Sequence, residues 1–215
     1  MTDTTAPFAV NQAHLWPLAA GLALLGFLWF GPLPEMARGS FSAHMVMHMG
    51  VVAVVSPLLA LGISRALPAQ VAALPPALAI AASLFEFAAV WTWHAPALHD
   101  AARMQTGLFV MEQASFLAAG VLVWTTAVGA KAAGVCALLI TSMHMVLLGA
   151  LLLLAPRALY ACAAVCSSAA SLTPLGDQQL GGALMLVIGG SAYLAGGLAL
   201  LSTVLRDRAP IGEAG

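Results

Sequence analysis

The chain has 215 residues, of which 62% are hydrophobic and only 7% charged, with a formal net charge of −1 and a mean hydropathy of +0.99. A water-soluble domain carries about 25% charged residues, so this composition cannot clothe a water-exposed surface and a polytopic membrane protein is what remains. Soluble enzymes, basic nucleic-acid binders and disordered chains drop out together, and three cysteines are too few for a disulfide framework.

The apolar runs are about 17–24 residues long and do not alternate with period two, which excludes a barrel and predicts an all-α bundle of six spans. The first, 14–30, ends at Gly31-Pro32-Leu33-Pro34. The thirteen residues before it hold Asp3 and no Lys or Arg, unlike the basic start of a signal peptide, so it is expected to be retained. The second, 41–63, closes over Ser64 to Pro68, and the third, 72–93, stops ahead of Pro96. The fourth, 107–128, turns through Gly129-Ala130-Lys131 into the fifth, 132–155, which Pro156-Arg157 closes.

The stretch 157–179 is rich in Ala, Ser and Cys, with room for a short interfacial or re-entrant helix near 157–172 before Thr173 to Gln179. The sixth span, 180–203, leads to a polar tail. No repeat is visible, and 1–215 reads as a single transmembrane domain. Six spans place Arg65, Lys131, Arg206 and Arg208 beside the termini and Arg38, Arg103 and Arg157 opposite, which favours cytoplasmic termini.

An ionisable side chain at the centre of a span costs at least ~2.5–3.5 kcal/mol, so each one needs a partner or a task. Here they gather toward one membrane face: His44 and His48 open the second span, Glu86 lies late in the third, and His94, His99 and Asp100 follow it. Glu112 begins the fourth, His144 sits in the outer half of the fifth and Asp177 precedes the sixth; the other half is almost free of such groups, with His14 its only histidine. His44 and His48, four apart, share a helix face. Imidazole suits copper, zinc, iron or nickel and the thioethers of Met45, Met47 and Met49 suit Cu(I), although methionines also fill bundle cores.

Asp100 either orients a metal-bound His99 ring or caps the helix that follows. Glu86 and Glu112 are proton acceptors, supports for a ligand, counter-ions for Arg103 or simply hydrogen-bonded carboxyls. Cys162 and Cys166, four apart, bind a soft ion, pair or pack, and Cys136 reads as a packing residue. No nucleophile elbow, phosphate loop, nucleotide fingerprint or His-Glu-x-x-His helix is present, which speaks against a hydrolase or a nucleotide-driven transporter.

The chain resembles the polytopic cytochrome c oxidase assembly factor CtaG family of bacteria. The resemblance is carried by His44-Met45-Val46-Met47-His48-Met49 with Ser56-Pro57-Leu58-Leu59-Ala60-Leu61-Gly62, by Trp93-His94-Ala95-Pro96-Ala97-Leu98-His99-Asp100, and by Leu175-Gly176-Asp177-Gln178-Gln179-Leu180-Gly181-Gly182. It implies maturation of a haem–copper oxidase at its copper centres, with family positions falling on His44, His48, His94, His144 and Asp177. Two departures stand out. The family usually has seven spans against the six read here, and Val110-Met111-Glu112-Gln113-Ala114 stands where many relatives have a histidine.

The expectation is therefore a non-enzymatic metallochaperone of the bacterial cytoplasmic membrane, holding Cu(I) near the outer face. Its metal ligands would come from His44, His48, His94, His144, Met45 and Met47, supported by His99, Asp100, Glu86, Glu112 and Asp177. The partners would be oxidase subunits or another copper chaperone, and no nucleic acid. A haem-binding electron-transfer protein with two axial histidines is the alternative, and a copper permease the third reading.

Overall fold

A computed structural model describes residues 15–161 and 172–208. Among the described residues, five helices are long and apolar enough to cross a membrane, and a bent pair supplies a sixth. That pair is α1 (Trp16–Phe30) and α2 (Leu33–Gly39), which meet at 49°. Pro32 and Pro34 lack the N–H groups that would continue the first helix but fit the opening turn of the second, so the chain bends and resumes.

The second span runs unbroken as α3 (Phe41–Met49), a π-helical segment (Gly50–Val55) and α4 (Ser56–Ala66). The wider π turns displace carbonyls from the regular ladder, and side chains meet them: Trp124 Nε1 and Tyr193 Oη donate to Val52 O at 3.1 and 3.2 Å, and Ser56 Oγ donates to Val51 O at 2.9 Å. After α5 (Pro68–Ala72) come α6 (Pro76–Trp93), the short α7 (Pro96–Met104), α8 (Thr106–Ala130) and α9 (Ala132–Leu153). The last span is α10 (Pro174–Leu184), a second π segment (Met185–Gly189) and α11 (Gly190–Arg208).

The long α9 packs against α6, α10 and α11, while α8 packs against α4 and α6. At one end Lys131 Nζ, in the α8–α9 turn, donates to Asp207 Oδ2 at 2.6 Å; at the other Arg38 Nη1 donates to the carbonyl of Arg103 at 3.1 Å. The basic residues thus divide between the two ends of the bundle.

Two expectations need correction. The sixth span begins at Pro174 instead of 180, because Thr173 caps it, accepting from Gly176 N, and Pro174 suits its first turn; Asp177 therefore lies inside the helix. Cys136 is exposed on the outside of α9 instead of packed. Residues 157–161 are not helical, and the remainder of the proposed interfacial helix, with Cys162, Cys166 and His14, lies outside the described residues.

Candidate metal-binding site

The residues of interest meet at the end of the bundle where α3 begins, α6 ends and α7 crosses between α6 and α8. Ser40 caps α3, its hydroxyl accepting from Ala43 N at 3.2 Å. The helix thereby started holds the His44 and His48 rings nearly parallel, 8° apart in plane and 6.1 Å between centroids. α6 stops at Trp93 because the residue before Pro96 is pushed to an extended conformation, and His94 becomes its C-cap. α7 then turns its polar side inward, burying His99, Ala102 and Arg103.

The result is a cluster of four imidazoles. His44 lies 5.5 Å from His94 and 5.1 Å from His99, and His48 lies 5.3 Å from His94, between ring centroids. Phe116 on α8 abuts His48 at 4.0 Å, and Phe41 and Tyr160 stack at 4.6 Å, with Tyr160 also 4.3 Å from the His99 ring. Tyr160 Oη donates to the His94 carbonyl at 3.0 Å, fixing this aromatic cover. An ion bound about 2.0–2.1 Å from a ring nitrogen sits about 3 Å from that ring's centroid, so two rings on one ion have centroids up to about 6 Å apart. The cluster meets that spacing. Among the described residues, however, no three His, Cys, Asp or Glu side chains already aim their donor atoms at one point. Closing the site on an ion takes rotation of rings that the backbone has already gathered.

The hydrogen bonds sort the rings by readiness. His94 Nδ1 lies 2.7 Å from Val90 O, so this nitrogen carries the proton and Nε2 keeps its lone pair. His44 is the reverse: Arg103 Nη1 stands 3.0 Å from its Nδ1, and a guanidinium only donates, so Nδ1 accepts and the neutral ring carries its proton on Nε2. Arg103 also bonds Glu112 Oε2 and the Ala37 carbonyl. His44 Nε2, both nitrogens of His48, His94 Nε2 and both nitrogens of His99 are buried with no hydrogen-bond partner among the described residues. Burial pushes His94 down to about 4, against the opposing pull of the Val90 carbonyl, and burial followed by the nearby Arg103 charge holds His99 well below its ordinary range. These two rings are neutral at pH 7.

A protein-family model described as cytochrome c oxidase caa3 assembly factor matches residues 4–207. The chain belongs to the cytochrome c oxidase caa3 assembly factor family. No curated protein and no solved structure matches it. The match takes in every residue of the cluster in this caa3 assembly factor.

The remaining expected residues are placed unevenly around the four rings. His144 on α9 meets Phe87 edge-on at 5.3 Å, and both its ring nitrogens are buried with no hydrogen-bond partner among the described residues. Met45 packs where Gly181 of α10 leaves room, and Met47 turns the other way into a small cluster with Ala37 and Phe109. Glu86 is hydrogen-bonded to Tyr193 in the middle of the bundle. Asp100 stands 3.8 Å from His99 Nδ1, beyond hydrogen-bond reach, and instead accepts from Ala161 N at 3.1 Å. Asp177 bonds Phe41 N at 2.6 Å and Ser42 N at 3.2 Å, and also the Ser40 and Ser42 hydroxyls, so it holds the start of α3. Sequence reading gave Arg103 no role beyond that of a counter-ion; its position four residues after His99, on the same face of α7, was the available signal. Nothing in the sequence pointed to Tyr160.

Proposed function

We propose that this assembly factor carries a copper ion, as Cu(I), among His44, His48, His94 and His99 and presents it during maturation of the oxidase copper centres. The observation that carries the reading is His48: its ring is fully buried, touches His94 and Phe116, and has both nitrogens without a hydrogen-bond partner among the described residues. A buried polar atom left so costs about 1–3 kcal/mol. A chain that brings several such atoms together has a use for them, and a soft cation is what the lone pairs of neutral His48, His94 and His99, one on each ring, fit. His94, with Nε2 ready, and His48 form the first pair of ligands. His144, with both ring nitrogens buried and unpartnered among the described residues, is a place to which the ion passes, and Met45, fully buried one residue from His44, supplies a thioether on ring rotation. The ion is cargo, so a site that is gathered but not closed suits ligands exchanged one at a time.

A cavity of about 10 Å³ lined by Ser40, Phe41, His99, Arg103 and Tyr160 lies beside the cluster. That space favours a bare ion over a haem macrocycle. The cluster faces the outer side of a bacterial cytoplasmic membrane with both termini inside, and the ion's donors and acceptors are oxidase subunits or another copper chaperone.

The test is metal content with an optical spectrum. The purified protein, loaded with Cu(I) and desalted, is expected to retain copper without a Soret band, and His48→Ala and His94→Ala to lose it. Copper-free wild-type protein, or variants that keep wild-type copper, would overturn the reading.

A further inference from the structure

Arg103 is the unexplained member of the site. A guanidinium is the group least suited to stand among ligands for a cation, yet this one is buried, bonded to Glu112 and donating to His44 Nδ1 at 3.0 Å. Its bond has a definite chemical consequence. With Nδ1 accepting from Arg103 and Nε2 protonated, neutral His44 has no lone pair left for a metal ion. Glu112 stands beside the same nitrogen, bonded to Arg103: Oε2 is 3.9 Å from Nδ1, and Oε1 has no hydrogen-bond partner among the described residues. The Ala37 carbonyl, 3.3 Å from Arg103 Nη1, and the Phe109 ring, 5.2 Å from its guanidinium carbon, give Arg103 a place to rest when it leaves His44.

We propose that the Arg103–Glu112 pair is a two-position switch on His44: with Arg103 on Nδ1 the ring is closed to metal, and with Glu112 on Nδ1 the ring opens Nε2 to it. The inference rests on the copper reading above and adds its regulation. In the closed position the proton sits on Nε2. In the open position Arg103 has withdrawn, Nδ1–H donates to the Glu112 carboxylate, and the Nε2 lone pair faces His48 and His94. One proton leaves Nε2 and one is gained at Nδ1, exchanged with water, so the charge on the ring does not change. Two ring bonds of the cluster then run alike, because His94 already has its Nδ1–H on a carbonyl and its Nε2 buried with no hydrogen-bond partner among the described residues. A carboxylate behind a ligating histidine fixes its tautomer and raises its basicity. An arriving cation favours the open position by repelling the guanidinium and attracting the carboxylate, and departure of the ion lets Arg103 return. The pair thereby makes the third ligand conditional on the ion being present, and lets it be withdrawn when the ion is handed over.

The two members of an ordinary ion pair lose the same interaction when either is replaced, so both variants of a merely structural pair weaken the site. The switch requires opposite signs. On the full chain in detergent, Cu(I) affinity by chelator competition is expected to tighten about tenfold in Arg103→Met, which removes the cost of populating the open position, and to weaken about 10–100-fold in Glu112→Leu. Arg103→Lys keeps the charge on Glu112 but lacks the fork that spans both partners, and is expected to move with Arg103→Met. Both effects are expected to vanish in a His44→Ala background. Same-sign changes, or effects that persist without His44, would overturn the switch.

A metal-free measurement separates this inference from the copper reading. With ¹⁵N-labelled histidine, His44 is expected to be protonated on Nε2 in the wild-type protein and on Nδ1 in Arg103→Lys. Protonation of wild-type His44 on Nδ1 overturns the switch whether or not the protein binds copper, and stands as the deciding result if Arg103→Met does not fold.

Discussion

Asp177, in the first turn of the last span, accepts a hydrogen bond from Phe41 N at 2.6 Å, 136 residues earlier in the chain. Its other bonds, to Ser42 N and to the Ser40 and Ser42 hydroxyls, satisfy the N-terminal donors of the helix that carries His44 and His48, and its charge complements the positive end of that helix. Asp177→Ala is expected to cost about 1–3 kcal/mol and to reduce copper occupancy through misplacement of both rings. Asp177→Asn, which keeps one acceptor oxygen, is expected to fall between. Unfolding in detergent and metal content measured on the same preparations check both; unchanged stability in Asp177→Ala would remove the capping role.

His48 should show stability and function moving in opposite directions. Its two buried nitrogens have no partner among the described residues, so an apolar side chain of similar size removes an unsatisfied burden. His48→Leu is expected to raise the unfolding free energy of the metal-free protein by about 1–3 kcal/mol while copper binding is lost. A lower stability in His48→Leu would mean that the ring has a structural bond not seen here.

Acid should destabilise the metal-free protein in a window set by the neutral rings outside the spans. His94 titrates near 4 when folded, against about 6.5 in the unfolded chain, so between those values the unfolded state binds a proton that the native state does not. Stability is therefore full above pH 6.5, falls as the pH drops toward 4 and levels off below it. The loss from His94 is at most about 3 kcal/mol; His99, lowered in the same direction, steepens it. Unfolding free energies at pH 7.5, 5.5 and 4 measure the slope, which is expected to shrink in His94→Leu.

The helical bundle was legible because composition and run length in a membrane leave little else, and the gathering of histidines at one face followed from the order of the spans. The long-range partners were not. The block Leu175-Gly176-Asp177-Gln178-Gln179-Leu180-Gly181-Gly182 was recognisable as a pattern, but its reasons lie in other parts of the chain. Asp177 caps α3, and Gln178 bonds Leu159 N and the Leu152 carbonyl. Gly181 makes room for Phe41 and Met45. The start of α10 is not legible in hydropathy, because its polar first turn interrupts the apolar run. The sequence assigns His99 only a supporting place because Pro96 obscures which way α7 faces, and that orientation brings its ring against His44.

Deep in the bundle, Tyr193 Oη reaches both Glu86 Oε1 and the Val52 carbonyl that the π segment displaces. Val52 O keeps its bond from Trp124 Nε1, so Tyr193→Phe would leave Glu86 Oε1 short of its donor and is expected to cost about 1–3 kcal/mol. Glu86→Gln keeps an oxygen for the phenol and is expected to cost less. Detergent unfolding of the two variants gives the order directly, and equal losses would show that the carboxylate, and not the phenol, is the centre of the contact.

Two glycines set how closely α9 and α10 approach beneath the cluster. A Cβ at Gly149 would come within 2.7 Å of Leu186 N, and one at Gly182 within 2.6 Å of Leu153 N, so each helix presents a side-chain-free surface to the backbone of the other. In lipid, where apolar burial does not drive helices together, such close van der Waals contact is a main source of association. The obstacles are backbone atoms, which cannot rotate aside, so Gly182→Ala must push α10 away from α9. Asp177 rides on α10 and would shift with it, loosening its hold on the first turn of α3. Gly182→Ala is therefore expected to lower stability by about 1–3 kcal/mol, in the range for overpacking, and to weaken copper binding although residue 182 touches no histidine. Gly26 is the control, because a Cβ there meets nothing within 4 Å. Gly26→Ala is expected to leave copper binding unchanged and stability equal or slightly higher. If Gly182→Ala and Gly26→Ala behave alike in unfolding and in copper affinity, the close crossing of α9 and α10 is not what positions the site.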